Sequence, residues 1–496
     1  MITWSASSLL FLLLWPALLS AQTKELTAPS NAVDDLATQH AIEETTLAWN
    51  KLQAIPAMRP ASLAGSLRDT DGNLLWSDRG DKAMVPASTW KLLVTAAALD
   101  RLGPEHRFTT RLEGRGYLDD AGTWQGDLVL VGGGDPCLGS GRGTDPGATA
   151  QIAAWVDAVR TAGIKRVAGS IRGDGSRWGP ANIPDAWAWD DMGNYFAPPL
   201  DALSFANNEV RCQFTSPGIP GDSAKLVSVE PKLPGWTYTA SVTSGPKGSG
   251  DRCWAYAAPG SQQVHFAGTL PPGRNSYIVK ASFPNPAAAA ADRLCLGLRN
   301  EGLLIDESIL PMSLHKTLII WQQSGNILRD IVAWTNRESV NGYAESLLRA
   351  LGETQGDPSP AGGAMALEAW LAEQGLPMAG WSISDGSGLS RRNTLTTDGL
   401  TWLLQAWQAE DWFPVFYASL PRSGGLGTLA SVAPKAPGRL VAKSGTMAGI
   451  RGYAGYVVGQ DGSRYPTVLL LNYTEASGGA MRLALEPVLQ ALFGLP

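Results

Sequence analysis

The sequence predicts an α/β (α+β) sandwich interrupted by a long, mainly β insertion, and three observations predict it. Apolar residues recur at helical spacing over residues 42–52 and 88–102, and again from 287 to about 409. Between them, from Gly103-Pro104 to Pro286, the texture changes to short alternating strands broken by Gly and Pro. At the far end, strands at 440–442, 450–458 and 467–473 precede a last helix near 480–492. The elements flanking the middle therefore make a complete layered domain without it.

Taken in order, Leu9, Leu10, Phe11, Leu12, Leu13 and Leu14, then Pro16 and the small pair Ser20, Ala21, read as a secretory signal peptide over residues 1–21, with an uncleaved N-terminal anchor as the alternative. Export to the periplasm or cell envelope follows as an expectation. The first segment of the flanking sandwich domain spans 22–104 and holds a hairpin at 64–78 that turns at Asp71-Gly72. The insertion spans 105–286. A helix at 148–162 followed by a strand at 167–172 marks a smaller α/β unit nested inside it, at about 119–204. The second segment of that sandwich domain, 287–496, begins with helices at 287–300, 327–352, 363–374 and 396–409.

Composition narrows the function classes. With 496 residues and 44% hydrophobic content the chain can build more than one core. A net charge of -6 with dispersed Lys and Arg gives no sign of a polyanionic partner, and no nucleic acid is expected. Four isolated histidines, without Cys-x-x-Cys or His-Glu-x-x-His, give no metal-ligand spacing, so neither metal nor cofactor is expected. Of the three pairings open to four cysteines, Cys212 with Cys253 is preferred, since both lie in strand-like stretches of the middle region. Nineteen tryptophans raise the question of sugar stacking, but Trp334, Trp370 and Trp402 fall at helical apolar positions and are assigned to the core.

Chemistry is carried by three short elements. Ser88-Thr89-Trp90-Lys91 follows Pro86 and opens a helix, so that Ser88 and Lys91 share one face about a turn apart. A serine hydroxyl needs a neighbouring base, and a lysine serves when its pKa is lowered. Ser-x-x-Lys alone is weak, because Ser244-Gly-Pro-Lys247 and Ser313-Leu-His-Lys316 repeat it. Ser88 stands out through Ser339-Val340-Asn341 and through Lys443-Ser444-Gly445-Thr446 on a strand. A second Ser-x-Asn, Ser324-Gly-Asn326, again shows that only the ordered triplet is specific. No Gly-x-Ser-x-Gly elbow is present, which disfavours an α/β-hydrolase esterase.

On these motifs the chain resembles the penicillin-recognising serine enzymes, and most closely the low-molecular-mass class C penicillin-binding proteins, the D-alanyl-D-alanine carboxypeptidase/endopeptidase family. The long gap between Ser88 and Ser339 is what separates that branch. Leu130-Val-Gly-Gly-Gly-Asp-Pro136, Asp385-Gly-Ser-Gly-Leu-Ser-Arg391 and Leu420-Pro-Arg-Ser-Gly-Gly-Leu-Gly-Thr-Leu429 match as well. The resemblance implies a transpeptidase-like sandwich in which Ser88 is the acylated nucleophile and Lys91 its base. Ser339, Asn341 and Lys443 would assist proton transfer and hold the substrate, with Ser444, Gly445 and Thr446 along it near its carboxylate. It further implies an oxyanion hole from the Ser88 and Thr446 backbone N–H groups, and specificity contacts from Asp191, Phe196 and Arg391 toward the diamino acid of a stem peptide. Peptidoglycan stem peptides are the implied substrates and β-lactam antibiotics the implied covalent inhibitors. Carboxypeptidase and endopeptidase action both stay open. A serine β-lactamase and a non-catalytic wall-binding relative are the alternatives; the first lacks such an insertion, and the second would not need every catalytic residue type. Val340 stands where the family usually has Asp, and Ser444 where it usually has Thr. Ala448 occupies a position where relatives carry a polar contact, which leaves the diamino acid open.

Overall fold

The computed structural model describes residues 36–180, 182–306 and 316–496; the expected signal peptide and Ser313 lie outside them. A five-stranded antiparallel sheet runs in the order Leu440–Met447, Ile450–Val458, Arg464–Asn472, Ser62–Arg68, Leu74–Asp78. Its first two strands by sequence thus pair onto its last three, with Ser62 opposite Asn472. Strand Arg464–Asn472 is buried at every position but the first, because helices cover both faces of the sheet. On one face, helices Leu36–Ala54 and Gly478–Leu492 enclose Trp49, Leu52, Leu63, Leu469, Leu485 and Leu489. The other face carries the helices Lys91–Leu102, Asn341–Thr354 and Thr397–Ala406. Lys91 to Leu99 are buried without exception. A helix apolar on all sides belongs at the centre of a domain, and Ala96, Ala97 and Ala98 let its neighbours pack close.

The insertion is laid out differently from the expectation in two respects. Strand Thr317–Ile327 pairs antiparallel with Arg107–Leu118, so the inserted region reaches about residue 327 rather than 286. Helix Pro286–Asn300, assigned from sequence to the catalytic domain, packs Ala290, Leu294 and Leu298 into the insertion's own core with Leu128, Trp155 and Val159. Apolar periodicity locates a helix but not the partner that buries it. The nesting is also reversed. An α/β layer built on a six-stranded sheet comes first and last, and the all-β unit sits inside it. That unit is a pair of three-stranded sheets, Arg252–Tyr256/Gln263–Leu270/Thr237–Ser244 and Arg274–Ser282/Glu209–Ser216/Lys225–Glu230, packed around Phe214, Val242 and Phe266.

Cys212 and Cys253 meet in this last core, but as free thiols, so the expected bridge is not formed. Burial pushes the Cys212 and Cys253 thiols up to about 12, and both act as small apolar side chains. Trp370 is enclosed in the core, while Trp334 and Trp402 pack against it half-buried.

Trp49 ties the N-terminal helix to the sheet: its ring meets Trp76 edge-on at 5.3 Å, and its indole N–H donates to Asp78 Oδ2 at 2.6 Å. Trp49→Ala is expected to cost about 3–5 kcal/mol, read as a lower midpoint of denaturant unfolding; a change under about 1 kcal/mol would mean that this helix contributes little to the fold.

Candidate active site

Ser88 lies in a 3₁₀ turn, Ala87–Trp90, that runs directly into helix Lys91–Leu102. It thus precedes the α-helix instead of opening it, and the tighter winding matters because residues three apart eclipse in such a turn. Lys91 Nζ consequently donates to Ser88 Oγ at 3.0 Å. Two glycines let other backbones reach the turn. A Cβ on Gly445 would sit 2.6 Å from the Pro86 carbonyl oxygen, and one on Gly388 2.0 Å from that of Ala87. Ala87 itself is left-handed, with φ 48°, a strained conformation for a residue with a side chain. Trp90 anchors the turn from behind by donating to the Asp385 carbonyl at 2.7 Å.

Lys91 has no solvent exposure and also donates to Asn341 Oδ1 and to the Ser387 carbonyl, both at 2.6 Å. Burial lowers its pKa to about 7, against the opposing pull of Asp385 and Glu345. Those two acids hold the loop that supplies the Ser387 carbonyl. Glu345 accepts from the Gly386 and Ser387 N–H groups, and Asp385 from Gly388 N, Ser390 N, Asn393 Nδ2 and the Trp187 indole. Burial and the neighbouring Asp385 push the Glu345 carboxyl up. Neither acid was singled out from the sequence. The available signal was an acid inside the apolar run Tyr343-Ala344-Glu345-Ser346-Leu347, where burial demands a polar partner.

A second lysine–serine pair stands beside the first. Lys443, equally unexposed, donates to Ser339 Oγ at 2.9 Å and to the Ser444 carbonyl at 2.8 Å. Burial holds its pKa well below the usual lysine range, with Lys91 and then Arg451 adding to the effect. Ser339 is left-handed, with φ 63°, and Asn341 starts the following helix. The Asn341 amide divides its roles: its oxygen accepts from Lys91, and its Nδ2 donates to the Phe196 carbonyl at 2.8 Å. A segment of the insertion therefore touches the cleft, where a cavity of about 320 Å³ opens beside Phe196, Ser339 and Asn341. Asp191 is pushed up to about 6 by burial and Asp190, with Arg391 opposing; Arg391 donates to the Ala448 carbonyl at 3.1 Å. Ser444 is buried and Thr446 exposed on strand Leu440–Met447, the edge of the main sheet. Two of the decoy motifs are structural. Ser244 donates to the Pro217 carbonyl, and Asn326 caps the Arg142–Thr144 loop.

A serine within hydrogen-bond reach of a lysine poised near neutrality, with a second lysine–serine pair and an Asn beside it, defines a serine acyl-transfer site of the penicillin-recognising class. Residues 50–491 match the D-Ala-D-Ala carboxypeptidase 3 (S13) family, and the chain belongs to it. It is a serine-type D-Ala-D-Ala carboxypeptidase. The D-alanyl-D-alanine carboxypeptidase of Actinomadura sp. (strain R39) is 29% identical over 82% of this chain and 77% of its own length. The D-alanyl-D-alanine carboxypeptidase DacB of Haemophilus influenzae is 24% identical over 79% and 81%. The crystal structure of penicillin binding protein 4 (dacB) from H. influenzae shares the fold, with a TM-score of 0.74 at 22% identity over 90% of this chain and 98% of that one. That protein has also been crystallised in complex with a β-lactam.

Three outcomes follow from this arrangement. The neutral amine of Lys91 accepts a proton and the ammonium does not, so acylation should rise as pH passes upward through about 7 and level off above it. In Lys91→Arg the guanidinium stays charged, and the acylation rate should fall by about 10²- to 10⁴-fold; a pH-independent parent rate would assign the base elsewhere. Gly445→Ala drives its new methyl into the Pro86 carbonyl and should separate strand from nucleophile, with a loss of acylation larger than its loss of thermal stability.

Proposed function

We propose that Ser88 cleaves the D-alanyl-D-alanine end of peptidoglycan stem peptides through an acyl-enzyme. The peptide lies along the second half of the outer edge of strand Leu440–Met447, beyond the part paired with the Pro421–Ser423 stretch, an addition mode that suits an extended chain. Its terminal carboxylate lies near Ser444 and Thr446. Ser88 Oγ attacks the carbonyl of the penultimate D-Ala while its proton passes to Lys91 Nζ. The oxyanion that forms is held by the backbone N–H groups of Ser88 and Thr446. As the C–N bond breaks, the leaving D-Ala nitrogen takes a proton through Ser339 and Lys443, and water then hydrolyses the ester. The observation that carries this reading is the 3.0 Å contact between Ser88 Oγ and a fully enclosed Lys91.

The same attack on a β-lactam carbonyl makes such antibiotics covalent inhibitors, because the ring-opened acyl group stays tethered in the cleft. A cross-linked stem offers the same D-Ala carbonyl, so endopeptidase action belongs to the same proposal. Asp191, Phe196 and Arg391 face the part of the stem carrying the diamino acid. The substrate lies in the cell wall, which supports the export expected from residues 1–21.

A labelled penicillin should attach to Ser88 in the native chain, and Ser88→Ala should abolish both labelling and release of D-Ala while unfolding at an unchanged temperature. Peptide mapping that found the label on another residue, or turnover surviving in Ser88→Ala, would overturn the assignment.

A further inference from the structure

Arg451 is the second residue of strand Ile450–Val458, which follows the Lys443-Ser444-Gly445-Thr446 run, and pairs in register with Thr446. Register partners on antiparallel strands project to the same face, so the guanidinium stands directly beside the Thr446 side chain. Arg451 Nη1 donates to Thr446 Oγ1 at 2.8 Å, while Nε and Nη2 donate to the Tyr453 hydroxyl at 3.2 and 2.8 Å. The guanidinium also lies over the Tyr453 ring, 5.0 Å from its centroid. These are neutral partners. Among the described residues no carboxylate lies within ion-pair distance of Arg451.

The arrangement is unusual for an arginine with its own fixed frame. Tyr453 holds one edge of the planar fork, and Thr446, exposed at the end of the edge strand, receives a single N–H. A guanidinium presents five donors and no acceptor, so the side chain retains capacity for an anion next to Thr446. Its charge is already felt in the cleft, since it helps lower the pKa of Lys443. The first turn of helix Gly478–Leu492 abuts the same spot: a Cβ on Gly478 would lie 3.7 Å from Thr446 Cγ2. The partial positive charge of a helix N-terminus adds to the same local field.

We infer that Arg451 is a substrate-binding residue that, together with the Thr446 hydroxyl, recognises the free carboxylate on the leaving side of the scissile bond. The inference rests on the proposed placement of the substrate along strand Leu440–Met447 and adds a charged determinant to it. The ligand class is an α-carboxylate: that of a terminal D-amino acid, or that of the D-centre of a cross-linking diamino acid. A leaving group in which this carboxylate is amidated offers no charge and loses the interaction.

The test is a ratio of substrates. Parent, Arg451→Gln and Arg451→Lys are assayed on an N-acylated peptide ending in D-Ala-D-Ala and on the same peptide ending in D-alaninamide. A carboxylate present in ground and transition states alike contributes uniform binding. The parent's preference for the free acid over the amide should therefore drop about tenfold or more in Arg451→Gln, mainly through KM for the acid, with part of it retained in Arg451→Lys. If Arg451 serves only to brace Tyr453, both substrates fall together and the preference is unchanged, which overturns the inference. Saturating penicillin labels Ser88 in each variant when the nucleophile is intact. An unchanged preference with labelling retained thus removes the role of Arg451 alone, whereas labelling that never depended on Ser88 removes the underlying function.

Discussion

A lysine amine enclosed on every side by protein loses its hydration, and the cleft is organised around that loss. Desolvation brings Lys91 to about 7, where a useful fraction is neutral, and the Ser88 hydroxyl lies within hydrogen-bond distance of it. Two buried acids, Asp385 and Glu345, pull the other way. They do not contact the amine through any of its three hydrogen bonds, which go to Ser88, Asn341 and the Ser387 carbonyl. Their oxygens are spent on loop N–H groups. The acids thus stiffen the loop that orients Lys91, and stay far enough away not to fix it as an ammonium.

Dryness at Lys91 depends in turn on close approach of distant parts of the chain. The Pro86–Lys91 turn precedes the insertion, and Ser339, the Asp385 loop and strand Leu440–Met447 all follow it. Glycines at 388 and 445 permit backbone to meet backbone where any side chain would collide. Left-handed Ala87 and Ser339 mark the same junction, and the surrounding hydrogen bonds hold conformations that an isolated segment would leave. The insertion takes part as well, through the Phe196 carbonyl on Asn341 and the Trp187 indole on Asp385.

Much of this was legible in the sequence because catalysis by such a site needs particular residue types in particular local settings. Ser88 and Lys91 announce each other through spacing, and Gly445 announces a tight approach. The strands and helices flanking the middle region have periods that burial on one or both faces imposes. What escaped was whatever depends on contacts across the chain. Helix Pro286–Asn300 reads as a helix from its spacing, but its partners are strand Ile171–Asp174 and helix Ala148–Thr161 of the insertion, and no local pattern states that. Glu345 and Asp385 are legible as acids and illegible as a pair, because only the fold brings them to one lysine. Arg451 reads as an ordinary strand residue until its register with Thr446 is known.

Strand Leu440–Met447 is the outermost strand of its sheet, and an open row of amides is also an invitation for a second copy to zip on. Its first half is shielded by the Pro421–Ser423 stretch, through Ala442 N to the Pro421 carbonyl and Ser423 N to the Leu440 carbonyl. Its second half carries an inward-pointing charge at Lys443 and crowds against the Pro86 carbonyl at Gly445. A proline-bearing flank and an inward charge are devices that guard sheet edges against self-association. The groove is therefore open to a short extended peptide and closed to the longer, regular strand of a neighbouring molecule, so selectivity for a small substrate and resistance to polymerisation arise from the same few side chains.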